Sequence, residues 1–348
     1  MEAGGYAWRL GVRRATMSDV ARFAGVSVKT VSRVVNGEPG VHATTTAQVT
    51  QAVEQLGFRS NIGARNLRRG TSTATIGLVL EDIANPFNAE IARAVEEVAR
   101  QFGRRVLTGS CDEEPERERE LALEFCARQV DGLLVVPAGR AHGYLVHEME
   151  AGTPVVFLDR PPGDITVDTV LTDNAGGATA AVHHLVAHGH RRVAFFGDAA
   201  EIHTASERLR GFREGCVSAG VGYRDEYVAM GPHDEVTIDT ALRAIFGTES
   251  GATALVTGNN RITVLVLRAL ASWSARPALV GFDDFELADL LSPPVSVVAH
   301  HPEELGRAAA EMLFERMNGD DSPHRSVVFP ARVIPRGSAE TGSGEMPP

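Results

Sequence analysis

Apolar positions in residues 16–57 recur three or four apart in three short groups separated by polar turns, a pattern that predicts helices rather than strands. In the first group Thr16-Met17-Ser18-Asp19 has the form of a capping box, with Asp in the place of Glu or Gln. Val20, Phe23 and Ala24 then follow at helical spacing toward a stop at Gly25. Ser27 caps the second helix, in which Val31, Val34 and Val35 share one face while Lys29, Ser32 and Arg33 share another. The third runs from about Thr44 to Leu56, with Val49, Val53 and Leu56 inward and Gly57 as its stop. The next stretch, FRSNIGARNLRRGTST, is too poor in apolar side chains for a core and reads as a basic linker. Beyond it, short apolar runs alternate with helical patterns: ATIGLVL, AEIARAVEEVARQFG, RRVLTGS, PERERELALEFCARQV and DGLLVVP, a βαβαβ order. A like alternation restarts at Thr179 with a helix, then RRVAFFG, a helix over about 205–219, a strand near Tyr227, ATALVTG and PALVGFDD. The prediction is an α/β protein: an all-α head, then two parallel-sheet units joined near Asp173.

A length of 348 residues calls for two or three cores, and 43% apolar with 23% charged content is that of a soluble globular chain. No apolar run reaches the eighteen or so residues of a membrane span, and the N-terminus lacks an apolar segment before a cleavage site. A cytoplasmic protein with no membrane partner is therefore expected. Cys111, Cys126 and Cys216 are too few and too scattered for a disulfide framework and read as buried thiols. Charge sharpens the picture. Residues 1–70 hold ten Lys and Arg against four Asp and Glu, while the remainder holds 24 against 41. An acidic body repels nucleic acid, so any polyanion must be gripped by the front segment.

Two helices joined by a tight Gly-containing turn, the second polar on its outer face, have the geometry of a helix-turn-helix. The second helix enters the major groove in that geometry, and at its start stand Val28 and Lys29, the one lysine of the chain. An ammonium there matches guanine O6 and N7, and the valine matches a thymine methyl; Arg33 lies one turn further on. The run TMSDVARFAGVSVKTVSRVVNG then continues through AVEQLGFRSNIGARNLRRG, TIGLVLEDIANPF, DGLLVVP, FLDR, GHRRVAFFG, ERLRGF, GFDD and ELGRAAAEML. Together these resemble the lactose-repressor and galactose-repressor family of bacterial transcription regulators over about residues 16–338.

The resemblance implies a DNA-facing set of Ser27, Val28, Lys29, Thr30, Arg33 and Asn36 in the headpiece, with Arg65, Leu67 and Arg68 in the linker. Leu67 takes the place of a leucine that wedges into the minor groove when the linker folds into a hinge helix on operator DNA. Gly63 weakens that helix, since glycine costs about 1 kcal/mol relative to alanine. His42 stands where the family commonly has a serine capping the third helix, and Thr46 and Gln48 where arginines are usual.

Behind the headpiece the resemblance implies a periplasmic-binding-protein-like core of two doubly wound subdomains with an effector between them. The implied division is a headpiece at 16–58, a hinge at 59–73 and a core at 74–340. Within the core, one subdomain takes 74–172 and 299–325, the other 173–298 and 326–340. Arg208 of ERLRGF and Asp283 of GFDD take the effector-binding positions, with Glu81, Asn85, Phe87, Asp159 and Asn259 as further pocket residues. A guanidinium and a carboxylate can each hold neighbouring hydroxyls. Asn88 replaces an aromatic that stacks on a sugar face in many relatives, and Asn260-Arg261 is another departure. Glu81 and Asp82 favour a neutral polyhydroxylated ligand over a polyanion.

The implied function is a repressor that binds a pseudo-palindromic operator on double-stranded DNA as a homodimer and is switched by a sugar-like effector. No cofactor or metal is expected. The C-terminal tail lacks the leucine heptads that tetramerise some relatives. P-loop, G-x-S-x-G and H-E-x-x-H motifs are missing, and the histidine pairs 183–184 and 300–301 are adjacent rather than four apart. These observations weigh against the two rival readings, a solute receptor for transport and a sugar enzyme on the same sheet topology.

Overall fold

The computed structural model describes residues 15–58, 73–248, 250–274 and 276–340. The chain divides into two compact units, one up to Thr73 and one from Ala74 onward. The hinge expected at 59–73, with Gly63, Arg65, Leu67 and Arg68, lies outside the described residues except for Thr73.

The first unit contains α1 (Met17–Ala24), α2 (Val28–Val35) and α3 (Ala43–Gln55). The capping box at Thr16 is formed: the Asp19 N–H donates to Thr16 Oγ1 at 3.3 Å and the Thr16 N–H to Asp19 Oδ2 at 2.9 Å. Gly25, in the left-handed region at φ +65°, ends α1, and Ser27 caps α2 by accepting the Thr30 N–H at 3.1 Å. His42 precedes α3 without capping it through its side chain. Val20, Ala21, Val31, Val49 and Ala52 form the core, with Val34, Val35, Val53 and Leu56 packed at its edge. Phe23 departs from its expected inward position and is 57% exposed. The buried stripe of α1 runs through Val20, Ala21 and Ala24, which places Phe23 beyond one shoulder of it.

In the second unit, β1 (Thr75–Leu80), α4 (Pro86–Gln101), β2 (Arg105–Ser110), α5 (Pro115–Ala127), β3 (Leu133–Val135), α6 (Val146–Glu150), β4 (Val155–Asp159) and β5 (Asp168–Thr172) build a parallel sheet ordered β2-β1-β3-β4-β5. The chain then crosses into a second sheet. This comprises α7 (Asn174–Ala187), β6 (Val193–Gly197), α8 (His203–Ser218), β7 (Val228–Met230), α9 (Glu235–Phe246), β8 (Ala254–Thr257), α10 (Asn260–Ala269), β9 (Ala278–Phe282) and β10 (Ser296–Ala299), ordered β7-β6-β8-β9-β10. It crosses back as α11 (Pro302–Met317) and β11 (Ser326–Phe329), and finally as β12 (Arg332–Ile334), antiparallel to β10. Each sheet has an apolar cluster on both faces, which is why its strands read as unbroken apolar runs. The helices approach closely: a Cβ on Gly306 of α11 would lie 2.7 Å from the Ile91 carbonyl oxygen of α4.

β11 is where the structure departs from the expected division at residue 326. Its four residues pair in parallel with β5, Ser326 opposite Thr169, so the last crossing falls after Phe329. The cause is Asp168, whose carboxylate accepts the Arg325 N–H at 2.7 Å and two bonds from the Arg316 guanidinium at 2.7 and 3.0 Å. That clamp delivers residue 326 to the open edge of β5. Among the described residues, no helix is long and apolar enough to cross a membrane. Cys111, Cys126 and Cys216 are buried and unpaired.

Candidate functional site

In each sheet the first strand lies between the second and the third, so connections leave it in opposite directions and open a crevice at the carboxyl ends. The two crevices face one cavity of about 930 Å³. Glu81, Asn85, Phe87, Asp159, Arg208, Asn259 and Asp283, all seven pocket residues expected from sequence, line it. Glu81 follows β1 and Asp159 ends β4; on the other side Asn259 and Asp283 follow β8 and β9. Asp159 and Asp283 stand at equivalent strand ends of the two sheets, and both take the left-handed conformation, at φ +66° and +64°. Such backbone settings in non-glycine residues cluster where side chains are aimed at ligands.

Arg208 organises the floor. Its Nε donates to Asn174 Oδ1 at 2.7 Å, its Nη1 donates to the Gly258 carbonyl at 2.5 Å and to Asp283 Oδ2 at 3.3 Å, and its guanidinium lies 3.9 Å above the Phe282 ring. Asp283 also accepts from His300 Nε2 at 2.8 Å. Burial would raise the Asp283 carboxyl, but Arg208 and His300 together hold it below the ordinary aspartate range. Asn174 and His300 were not singled out as site residues from sequence. Asn174 directly follows the junction Asp173, and His300 was set aside as half of an adjacent pair.

The opposite wall is acidic. Arg160, also missed although it stands in the FLDR run, binds Glu113 through two 2.6 Å bonds and the Pro137 carbonyl at 3.1 Å. Burial pushes the Glu81 carboxyl up to about 7, against the pull of Arg160. Asn88 does not line the cavity; it is buried beneath it and donates to the Asp82 carbonyl at 2.8 Å. Phe87 meets the His300 ring edge-on at 4.9 Å between centroids.

Side chains from the two subdomains also meet across the cleft. Asn260 Nδ2 donates to Asn85 Oδ1 at 3.0 Å, and Arg261 Nη1 stands 3.2 Å from Asp82 Oδ2. The exposed Arg261 pair is screened by water. Arg261→Ala should therefore lower the unfolding free energy by no more than about 1 kcal/mol, read from urea denaturation; a larger loss would mean that the ion pair holds the cleft together.

In the headpiece, Ser27, Val28 and Lys29 are exposed at the start of α2, with Val28 46% accessible. Thr30 is half-buried and hydrogen-bonded to Ser27. Arg33 is turned back to the Pro39 carbonyl at 2.5 Å, and Asn36 donates to Ser32 Oγ at 3.2 Å. Unlike the adjacent histidine pairs, His184 in the last turn of α7 and His188, which caps that helix, stand four apart, their ring centroids separated by 4.6 Å. Even so, no group of three metal-capable side chains forms among the described residues.

A family model for bacterial regulatory proteins of the lacI family matches residues 16–61, and one for periplasmic binding protein-like domains matches 182–339. The HTH-type transcriptional regulator PtxS of Pseudomonas putida is 32% identical, over 94% of this chain and 96% of its own. A solved structure titled transcriptional regulator CelR-cellobiose complex is 29% identical at a TM-score of 0.67, covering 93% of this chain and 100% of the other. The lac repressor dimer bound to operator and the anti-inducer ONPF is 23% identical at a TM-score of 0.77, covering 94% and 99%, a likeness of fold. The chain belongs to the lacI family of bacterial regulatory proteins. It is a DNA-binding transcriptional regulator and not an enzyme.

Proposed function

We propose that the protein is a cytoplasmic repressor that binds a pseudo-palindromic operator as a homodimer and is switched by a sugar or sugar-like effector held in the cleft. The observation that carries the reading is the floor formed by Arg208, Asp283 and Asn174. A rigid fork on α8 and a carboxylate directly after β9 are suited to neighbouring hydroxyls. A solved relative of 29% identity titled as a cellobiose complex supports a saccharide as the effector class. In the headpiece, the exposed Val28 and Lys29 at the start of α2 suit base edges in the major groove. Ser27, Thr30, Arg33 and Asn36 complete the proposed headpiece surface, and Arg33 must leave the Pro39 carbonyl to reach DNA.

The test begins with an operator selected from a random duplex pool. Lys29→Ala should weaken binding to it by about 1–3 kcal/mol while leaving binding to random duplex nearly intact, because base-edge contacts specify and phosphate contacts anchor. Fluorescence anisotropy at fixed salt reads both affinities. Equal losses on the two DNAs would remove α2 from base recognition.

A further inference from the structure

The two walls of the cleft differ in how far their polar groups are already paired. On the Arg208 wall, charge meets charge: Arg208, Asp283 and His300 are joined in one network. On the other wall Glu81 is 7% exposed and Asp159 4%, and each keeps an oxygen, Oε2 and Oδ1, buried without a hydrogen-bond partner among the described residues. They are close enough for the charge of Asp159 to act on Glu81. The neighbouring cation offers little relief. Arg160 is committed to Glu113, and its Nε lies 3.6 Å from Asp159 Oδ2 and lacks a hydrogen bond among the described residues. Asn260, on the Arg208 side of the cavity, also keeps a buried oxygen without a hydrogen-bond partner among the described residues, whereas on the Glu81 side two carboxylate oxygens face one free N–H, that of Arg160 Nε.

Vacant acceptors thus outnumber vacant donors on this side, and the excess charge is negative. Each hydroxyl of a neutral sugar brings one proton and two lone pairs, so satisfying these oxygens would turn further lone pairs toward carboxylates. Seating such a ligand would also strip water from two acids without supplying a counter-charge, which is unfavourable in a buried site. An ammonium brings three donors, no acceptor and the missing charge.

We propose that the effector carries a protonated amine seated between Glu81 and Asp159, so that the cleft selects an amino sugar or similar amino polyol over its neutral and acidic counterparts. This rests on the effector reading above and names the chemical class within it. The groups acting on Glu81 are Arg160, Asp159 and Glu113, with a hydrogen bond from Asn88. The nearby Cys111 thiol stays neutral, pushed up to about 12 by burial. With its carboxyl at about 7, Glu81 is partly protonated in the empty cleft at neutral pH. An arriving cation favours the ionised form, so binding releases a proton.

The experiment is calorimetric titration of the full chain at pH 7, in phosphate and in Tris. The probes are D-glucosamine, D-galactosamine and D-mannosamine, each beside its neutral parent, with D-gluconate and D-galacturonate as acids. At least one amine should bind about tenfold or more tighter than its parent, with an apparent enthalpy that differs between the buffers as proton release requires. The acids should not compete. Glu81→Gln should remove both the tenfold advantage of the amine over its parent and the buffer dependence. Asp159→Asn, which keeps a residue tolerant of the left-handed backbone, should reduce the advantage as well. Neutral or acidic sugars binding at least as tightly as every amine would overturn the amine assignment and leave the sugar reading standing. No binding by any saccharide, whatever its charge, would overturn both.

Discussion

Arg208→Ala should destabilise the core by about 3–5 kcal/mol and abolish the response to effector, since removing one partner of a buried ion pair leaves the other uncompensated. The stranded group is Asp283, buried and left with His300 as its remaining partner in the network. The Gly258 carbonyl and Asn174 Oδ1 lose their donors at the same time, and the Phe282 ring loses the guanidinium stacked on it. Arg208→Lys should fall between, because an ammonium keeps the charge but cannot serve three acceptors from one planar fork. Acidity supplies an independent check. In the wild type the Asp283 carboxyl is held below the ordinary aspartate range, so its stabilisation is present above that range and lost as pH falls through the lowered value. The variant lacks the group that lowers it most. The gap in urea-unfolding free energy between wild type and Arg208→Ala should therefore narrow as pH falls through the aspartate range, and a gap independent of pH would refute the pairing. Operator binding should persist in the variant at temperatures where its core stays folded, because the headpiece is a separate compact unit.

A loss of similar size, about 3–5 kcal/mol, is expected for Asp168→Ala, at a residue that does not line the cavity. Arg316 is nearly buried and also donates to the Asp320 and Ser322 carbonyls, at 2.9 and 2.6 Å, so Asp168 neutralises the cation that shapes the 320–325 turn. Without it the Arg325 N–H loses its acceptor and β11 loses the clamp that sets its register on β5. Hydrogen exchange should show residues 326–329 opening well before the rest of the first sheet, and urea denaturation should give the loss in stability. The Asp168 carboxyl is held down by Arg316 and the Arg325 N–H against the effect of burial. Its contribution is thus complete above the ordinary aspartate range and disappears only in stronger acid. Unchanged exchange at 326–329 would show that edge pairing alone holds β11.

The headpiece helices were legible from residues because their signals are local. Thr16 with Asp19, Ser27 with Thr30 and the spacing of Val20, Val31 and Val49 act within a turn or two of the chain, and the structure places them as the pattern requires. The buried strands were legible for a related reason: a strand covered on both faces has no polar alternation, so TIGLVL and ALVGF stand out as runs. Phe23 marks the limit of that reasoning, since an eight-residue helix leaves the edge of its buried stripe undefined until α2 and α3 settle against it. β11 lay beyond it. Its alternating, half-exposed residues are compatible with either sheet, and its place depends on Asp168, 148 positions from Arg316 in sequence.

The cleft divides in the same way. The motifs ERLRGF and GFDD pointed to Arg208 and Asp283, but their contact spans 75 positions and the cross-cleft bond from Asn260 to Asn85 spans 175. No local pattern specifies such pairs. They follow from how the carboxyl ends of two separate sheets are brought to one cavity, and the same packing decides which carboxylate loses its water. Glu81 reads in sequence as an acid beside a strand; its near-neutral titration and vacant oxygen arise from the walls that close around it.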